Sequence, residues 1–76
     1  MGMDLITYIK TNGDEAAAIA LGVATRTAAA YRRFERTPTV RQIIEFAKRT
    51  GRQVDVAATV DVYLARVENE APENAA

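Results

Sequence analysis

The chain has 76 residues, enough for one domain in which only about 60 % of the unfolded surface can be buried. It contains no Cys and no His, which excludes disulfide staples, thiolate nucleophiles, the common zinc sites and the usual general base. Formal net charge is zero, but residues 26–52 carry eight basic side chains against two acidic ones, while residues 1–25 and 53–76 are both net acidic; a cationic centre of this kind draws one face toward phosphate.

The start, Met1-Gly2-Met3-Asp4, lacks a basic stretch followed by a long apolar run, and no later segment approaches the roughly 18 apolar residues of a membrane span. A soluble, cytoplasmic protein with no membrane partner is expected. Gly2 does not mark N-myristoylation, because Ile6 stands where that motif needs Ser or Thr.

Leu5, Ile6, Tyr8 and Ile9 recur at the spacings of a short buried helix that follows Asp4 and ends at Asn12-Gly13. Asp14 is placed to cap a second, Ala-rich helix from Glu15 to Leu21, which closes at Gly22. Thr25 reads as the N-cap of a third helix from Arg26 to about Arg36, with Ala28 and Tyr31 on its inner side and Phe34 or Glu35 continuing it. Thr37-Pro38 restarts the chain, with Pro at the first helical position of a fourth helix that runs to Thr50 and stops at Gly51. Its inner stripe is expected to be Val40, Ile43, Ile44 and Ala47, flanked by Phe46.

Val56, Val60, Tyr63 and Val67 fit one helical stripe with Asp55 as cap, yet Val54, Val56, Ala58, Val60, Val62 and Leu64 also alternate as on a strand. Helix is the better reading, since no Gly, Pro or Asn lies between Gln53 and Val67 to turn a strand back on itself. Residues 68–76 are polar, acidic and interrupted by Pro72, and read as a disordered tail. The fold class that follows is all-α, a compact domain of four or five helices.

Residues 14–33 contain a helix of two turns, a sharp Gly-containing turn and a second helix that becomes basic at once. Within them, Ala18 suits a close helix crossing, Gly22 a positive φ, and Val23 the angle between the helices, with Ala28 and Tyr31 facing inward. In these residues the chain resembles the Cro and repressor family of helix-turn-helix proteins, and the likeness covers roughly residues 4–52. The resemblance implies a lambda-repressor-like domain that binds double-stranded DNA as a bacterial or phage transcription regulator. It also implies that the third helix lies in the major groove and reads bases through Thr25, Arg26, Ala29, Ala30 and Arg33.

Arg26 is the strongest base reader, because a guanidinium can hold guanine O6 and N7 with two hydrogen bonds; Ala29 and Ala30 offer methyl contact only, and plain helix propensity accounts for them equally well. Phosphate contacts fall to Thr27, Arg32, Arg36, Thr39 and Arg41, with free N–H groups at the start of the fourth helix in support. Lys48, Arg49 and Arg52 read as a solvated face at a helix C-terminus. Where the family often has a phosphate-binding Gln, this chain has Asp14 and Glu15, which leaves Asp14 a capping role and that side of the clamp to Lys10 or Thr27.

A homodimer on an inverted repeat is the expected assembly, formed through Val56, Val60, Tyr63 and Val67, with completion of the domain's own core as the alternative for that stripe. No cofactor, metal or small-molecule ligand is called for, and no nucleophile–base pair points to an enzyme. Two other readings stay open: the five aromatic residues could in principle serve single strands, though their helical spacing suits a core better, and the acidic residues 53–76 suit a protein-interaction module such as an antitoxin or antirepressor.

Overall fold

A computed structural model of the chain describes residues 2–70, with side chains through residue 68. At its start the Asp4 carboxylate accepts hydrogen bonds from the Thr7 N–H (2.9 Å) and hydroxyl (2.8 Å). That cap starts α1, Leu5–Asn12, whose Leu5, Ile6, Tyr8 and Ile9 are all buried as their spacing predicts. Gly13 ends α1 and opens α2, Asp14–Leu21, in a single residue with φ 90° and ψ 151°, an extended positive-φ conformation rather than the left-handed helical one. No side chain caps α2. Asp14 is its first helical residue, so the expected cap at Asp14 is corrected.

The helix α3 spans Thr25–Arg32 and is capped by Ala24 without a side-chain bond, so Thr25 is helical and not the cap. It also ends four residues before the expected Arg36. The cause is local: Phe34 takes φ 62°, and the Glu35 and Phe34 N–H groups bond back to the carbonyls of Ala30 (2.9 Å) and Tyr31 (3.3 Å), a terminating pattern that Gly usually supplies. A left-handed Phe costs on the order of 1–2 kcal/mol. Packing offsets this, since the Phe34 ring meets Tyr63 edge-on at 5.5 Å and lies under the Arg66 guanidinium at 5.2 Å.

Thr39, not Pro38, introduces α4, Val40–Arg49, through a reciprocal capping box with Gln42. Pro38 is buried ahead of the cap. The inner face of α4 is Ile43, Phe46 and Ala47, whereas Val40 and Ile44 are 57 % and 42 % exposed. The expected stripe is therefore rotated toward Phe46, whose ring packs on Tyr31 at 5.9 Å.

The helical reading of the last segment holds: α5 spans Val56–Glu70, and the Asp55 carboxylate accepts from the Ala58 N–H at 2.8 Å. The alternating pattern survives only as an isolated parallel bridge between Met3 and Val54, made by Met3 N–H to the Gln53 carbonyl and Asp55 N–H to the Met3 carbonyl, each 2.8 Å. The helix continues through residues 68–70, which the sequence assigns to a tail; residues 71–76 of that tail lie outside the described residues.

The described residues thus form five helices, α1 to α5, with almost no extended structure, in agreement with the all-α class. Leu5, Ile9 and Val54 are fully enclosed at the centre, each stabilising the fold by about 1.5–3 kcal/mol through burial. Thr59 joins them as the one buried polar side chain in the core of the described residues. Its hydroxyl accepts from the Leu5 N–H (3.0 Å) and donates to the Asp55 carbonyl (2.7 Å), tying the first residue of α1 to α5. Among the described residues no helix is long and apolar enough to cross a membrane.

Candidate functional site

The α2–turn–α3 unit is built around small side chains. Ala17, Ala18 and Ala28 are buried where α1, α2 and α3 meet, with Leu21 and Tyr31 closing the contact, because methyl side chains let backbones approach closely. Three residues connect α2 to α3. Gly22 adopts φ 76° and ψ 32°, the Val23 N–H reaches back to the Ala18 carbonyl at 3.0 Å, and Ala24 is extended. Val23 is half-buried against the core, as expected of the residue filling the angle between the helices.

Two contacts that no local pattern announces hold this unit. Arg32 donates from Nε and one terminal nitrogen to the two oxygens of Asp14, each at 2.9 Å, a fork that joins the end of α3 to the start of α2. These hydrogen bonds, with the arginine's charge, hold the Asp14 carboxyl below its ordinary value of 3.8. Both members are partly solvent-exposed. Arg49, from the last turn of α4, donates from Nε to the Ala20 carbonyl at 3.2 Å, and its guanidinium covers Gly22 so closely that a Cβ there would lie 2.7 Å from it. Arg49 is thus a brace for the turn, not the simple solvated charge its position suggests.

Outward, α3 presents what the sequence anticipates. At 100° per residue Arg26, Ala29, Ala30 and Arg33 share a face opposite the buried Ala28 and Tyr31. Arg26 and Arg33 are exposed and the two alanines half-buried between them, with Thr25 exposed at the helix start. The result is a shallow strip with a guanidinium at each end. Of the expected phosphate ligands, Arg36 and Arg41 are exposed and Thr27 is half-buried. Arg32 is drawn off by Asp14, and the Thr39 hydroxyl oxygen already accepts from the Gln42 N–H at 3.1 Å. Those two residues are not open ligands in the way expected, although the N–H groups of Val40 and Arg41 stay outside the capping box.

The stripe assigned to dimerisation is divided. Val56 and Val60 are half-buried and Val67 is 58 % exposed, but Tyr63 is only 6 % exposed, and its hydroxyl donates to the Tyr31 carbonyl at 3.0 Å. Burial pushes the Tyr63 hydroxyl well above its ordinary titration range. Tyr63 is therefore corrected to a core residue that locks α5 to the end of α3.

Comparison of the chain with protein families, with curated proteins and with solved structures returns no match.

Proposed function

We propose that the chain binds duplex DNA through the outward face of α3, as a helix-turn-helix regulator of transcription that acts by occupying its site. The observation that carries this reading is the strip Arg26–Ala29–Ala30–Arg33, exposed at its charged ends and braced from behind by α1 and α2. Its small central side chains leave room for a base edge to approach, and on this reading Arg26 at the first turn holds a guanine. Arg36 and Arg41 serve the phosphate backbone, where charge positions the protein without reading sequence. Asp14 causes less repulsion than the sequence suggests, because Arg32 neutralises it.

Selection of bound sequences from random duplex DNA tests the reading, followed by titrations of variants at several salt concentrations. Arg26→Ala is expected to relax the choice of one base, at a cost of about 1–3 kcal/mol for the preferred sequence. Arg41→Ala should weaken all sequences alike and lower the salt slope by about one. Binding without salt dependence, or no enrichment of any sequence, would sink the proposal. It would favour the second reading, a protein-interaction module, which draws on the exposed apolar side chains of α4 and α5.

A further inference from the structure

Of the guanidinium groups that border the outward strip of α3, those of Arg26 and Arg33 stand exposed, whereas Arg32 is half-buried and forked onto Asp14. At 100° per residue Arg32 lies one helical column from Ala29, on the side where the strip meets the start of α2. Its place is that of a backbone ligand at the edge of a reading face, beside the bases and not over them. Of these three arginines it alone is held in an ion pair.

The occupant resembles the ligand it excludes. Both Asp14 oxygens accept from Arg32, each at 2.9 Å, in the parallel arrangement by which a guanidinium also takes two oxygens of a phosphate. The two side chains are 28 % and 29 % exposed, so an incoming anion can reach them. An ion pair so open to water contributes little to stability, and a dense polyanion can displace one carboxylate. Glu35, three residues on, acts on Arg32 in the same sense but more weakly, and forms no ion pair with it.

We propose that Asp14 competes with DNA phosphate for Arg32: in the free chain its carboxylate takes the bidentate edge of the guanidinium and withholds one backbone contact from duplexes of every sequence. The competition moderates a sequence-independent affinity that the basic segment would otherwise carry in full. The inference rests on the reading of α3 as the DNA-facing helix and adds to it the control of that face by an acid of α2.

A mutant cycle in the full chain provides the test, with binding to a fluorescent random-sequence duplex followed by anisotropy over a range of sodium chloride. Asp14→Asn releases Arg32, so that Arg32→Ala in that background should lower the salt slope by about 0.9, one phosphate contact, and the affinity roughly threefold to tenfold. In the native background the same Arg32→Ala should change the slope by less than about half as much. Glu15→Gln removes an equal charge from the exposed neighbour of Asp14 without releasing an arginine, and should leave the effect of Arg32→Ala as it is in the native chain. Helical circular dichroism of each variant should match that of the native chain, because the pair lies near the surface; Asp14→Ser serves as a second release variant.

An equal slope loss from Arg32→Ala in both backgrounds overturns the proposal, since Arg32 then meets DNA whether or not Asp14 is present. No loss in either background also overturns it and leaves the fork a structural brace. Both results come from a native chain that binds duplex with salt dependence, and so leave the α3 reading standing. Absence of such binding in the native chain and in every variant overturns the α3 reading itself, and this inference with it.

Discussion

Gly22 sits where two demands coincide, and replacing it with Ala shows which one governs. Its φ of 76° lies in the left-handed region, where a Cβ costs on the order of 1–2 kcal/mol. The added methyl would also meet the Arg49 guanidinium at 2.7–2.8 Å. That neighbour is the far end of a flexible, exposed side chain, so it can swing away at the loss of its bond to the Ala20 carbonyl, worth about 0.5 kcal/mol, the low end for a hydrogen bond, because the site is exposed and the bond long.

The backbone term therefore dominates, and Gly22→Ala should destabilise by about 1.5–2.5 kcal/mol, lowering Tm by about 6–20 °C in a domain of this length. Urea unfolding followed by far-ultraviolet circular dichroism, run on Gly22→Ala, Arg49→Ala and the double variant, separates the terms. The penalty of Gly22→Ala should persist in the Arg49→Ala background, with a coupling below about 0.5 kcal/mol. Gly22→Asn should cost less than Gly22→Ala, because Asn visits the left-handed region more readily. A penalty below about 0.5 kcal/mol for Gly22→Ala, or one that vanishes once Arg49 is truncated, would refute the backbone account.

Three further substitutions probe contacts away from the turn. Thr59→Val keeps the shape of a fully buried side chain but strands the Leu5 N–H and should cost about 1–3 kcal/mol by chemical unfolding; a neutral result would mean that water or a backbone shift satisfies that donor. Phe34→Gly should be more stable than Phe34→Ala by about 1 kcal/mol, reversing the usual order, because both lose the ring contacts with Tyr63 and Arg66 while only Ala keeps the left-handed penalty. In acid, the lowered Asp14 titration sets the sign. A carboxyl depressed in the folded state contributes stability that is complete above its ordinary 3.8 and is lost as pH falls through the folded value. The stability advantage of the native chain over Asp14→Asn should therefore narrow as pH drops below 3.8, and an advantage independent of pH would show that the Arg32 fork is not its source.

Much of this architecture is legible along the chain because it is governed by short-range rules. The i, i+3, i+4 spacing of Leu5, Tyr8 and Ile9 requires one buried helical face, and Gly13, Gly22 and Gly51 stop helices where only a positive φ continues the chain. The outward strip of α3 follows equally from register, since once Ala28 and Tyr31 face inward, Arg26 and Arg33 must face out. The errors at helix starts have a common source. Asp14, Thr25 and Pro38 all have the right residue type for a helix beginning, but the caps of α2 and α3 fall one residue before Asp14 and Thr25 and α4 starts two residues after Pro38, because backbone dihedrals, not side-chain preference, decide where the first turn closes.

The set of helices, the turn at Gly22 and the basic face that follows it can thus be read along the chain, since each depends on neighbours within about one or two turns. Long-range packing sets Asp14 as the counter-ion of Arg32 eighteen positions away, brings Arg49 over the turn from twenty-nine positions beyond Ala20, and buries Tyr63 in the core while leaving Val40 and Ile44 outside it. Those pairings depend on how helices pack, and a periodic pattern fixes which residues share a face without fixing how far that face is rotated toward a neighbour. On α4 and α5 that rotation buries Phe46 and Tyr63 and leaves an apolar groove open between the helices.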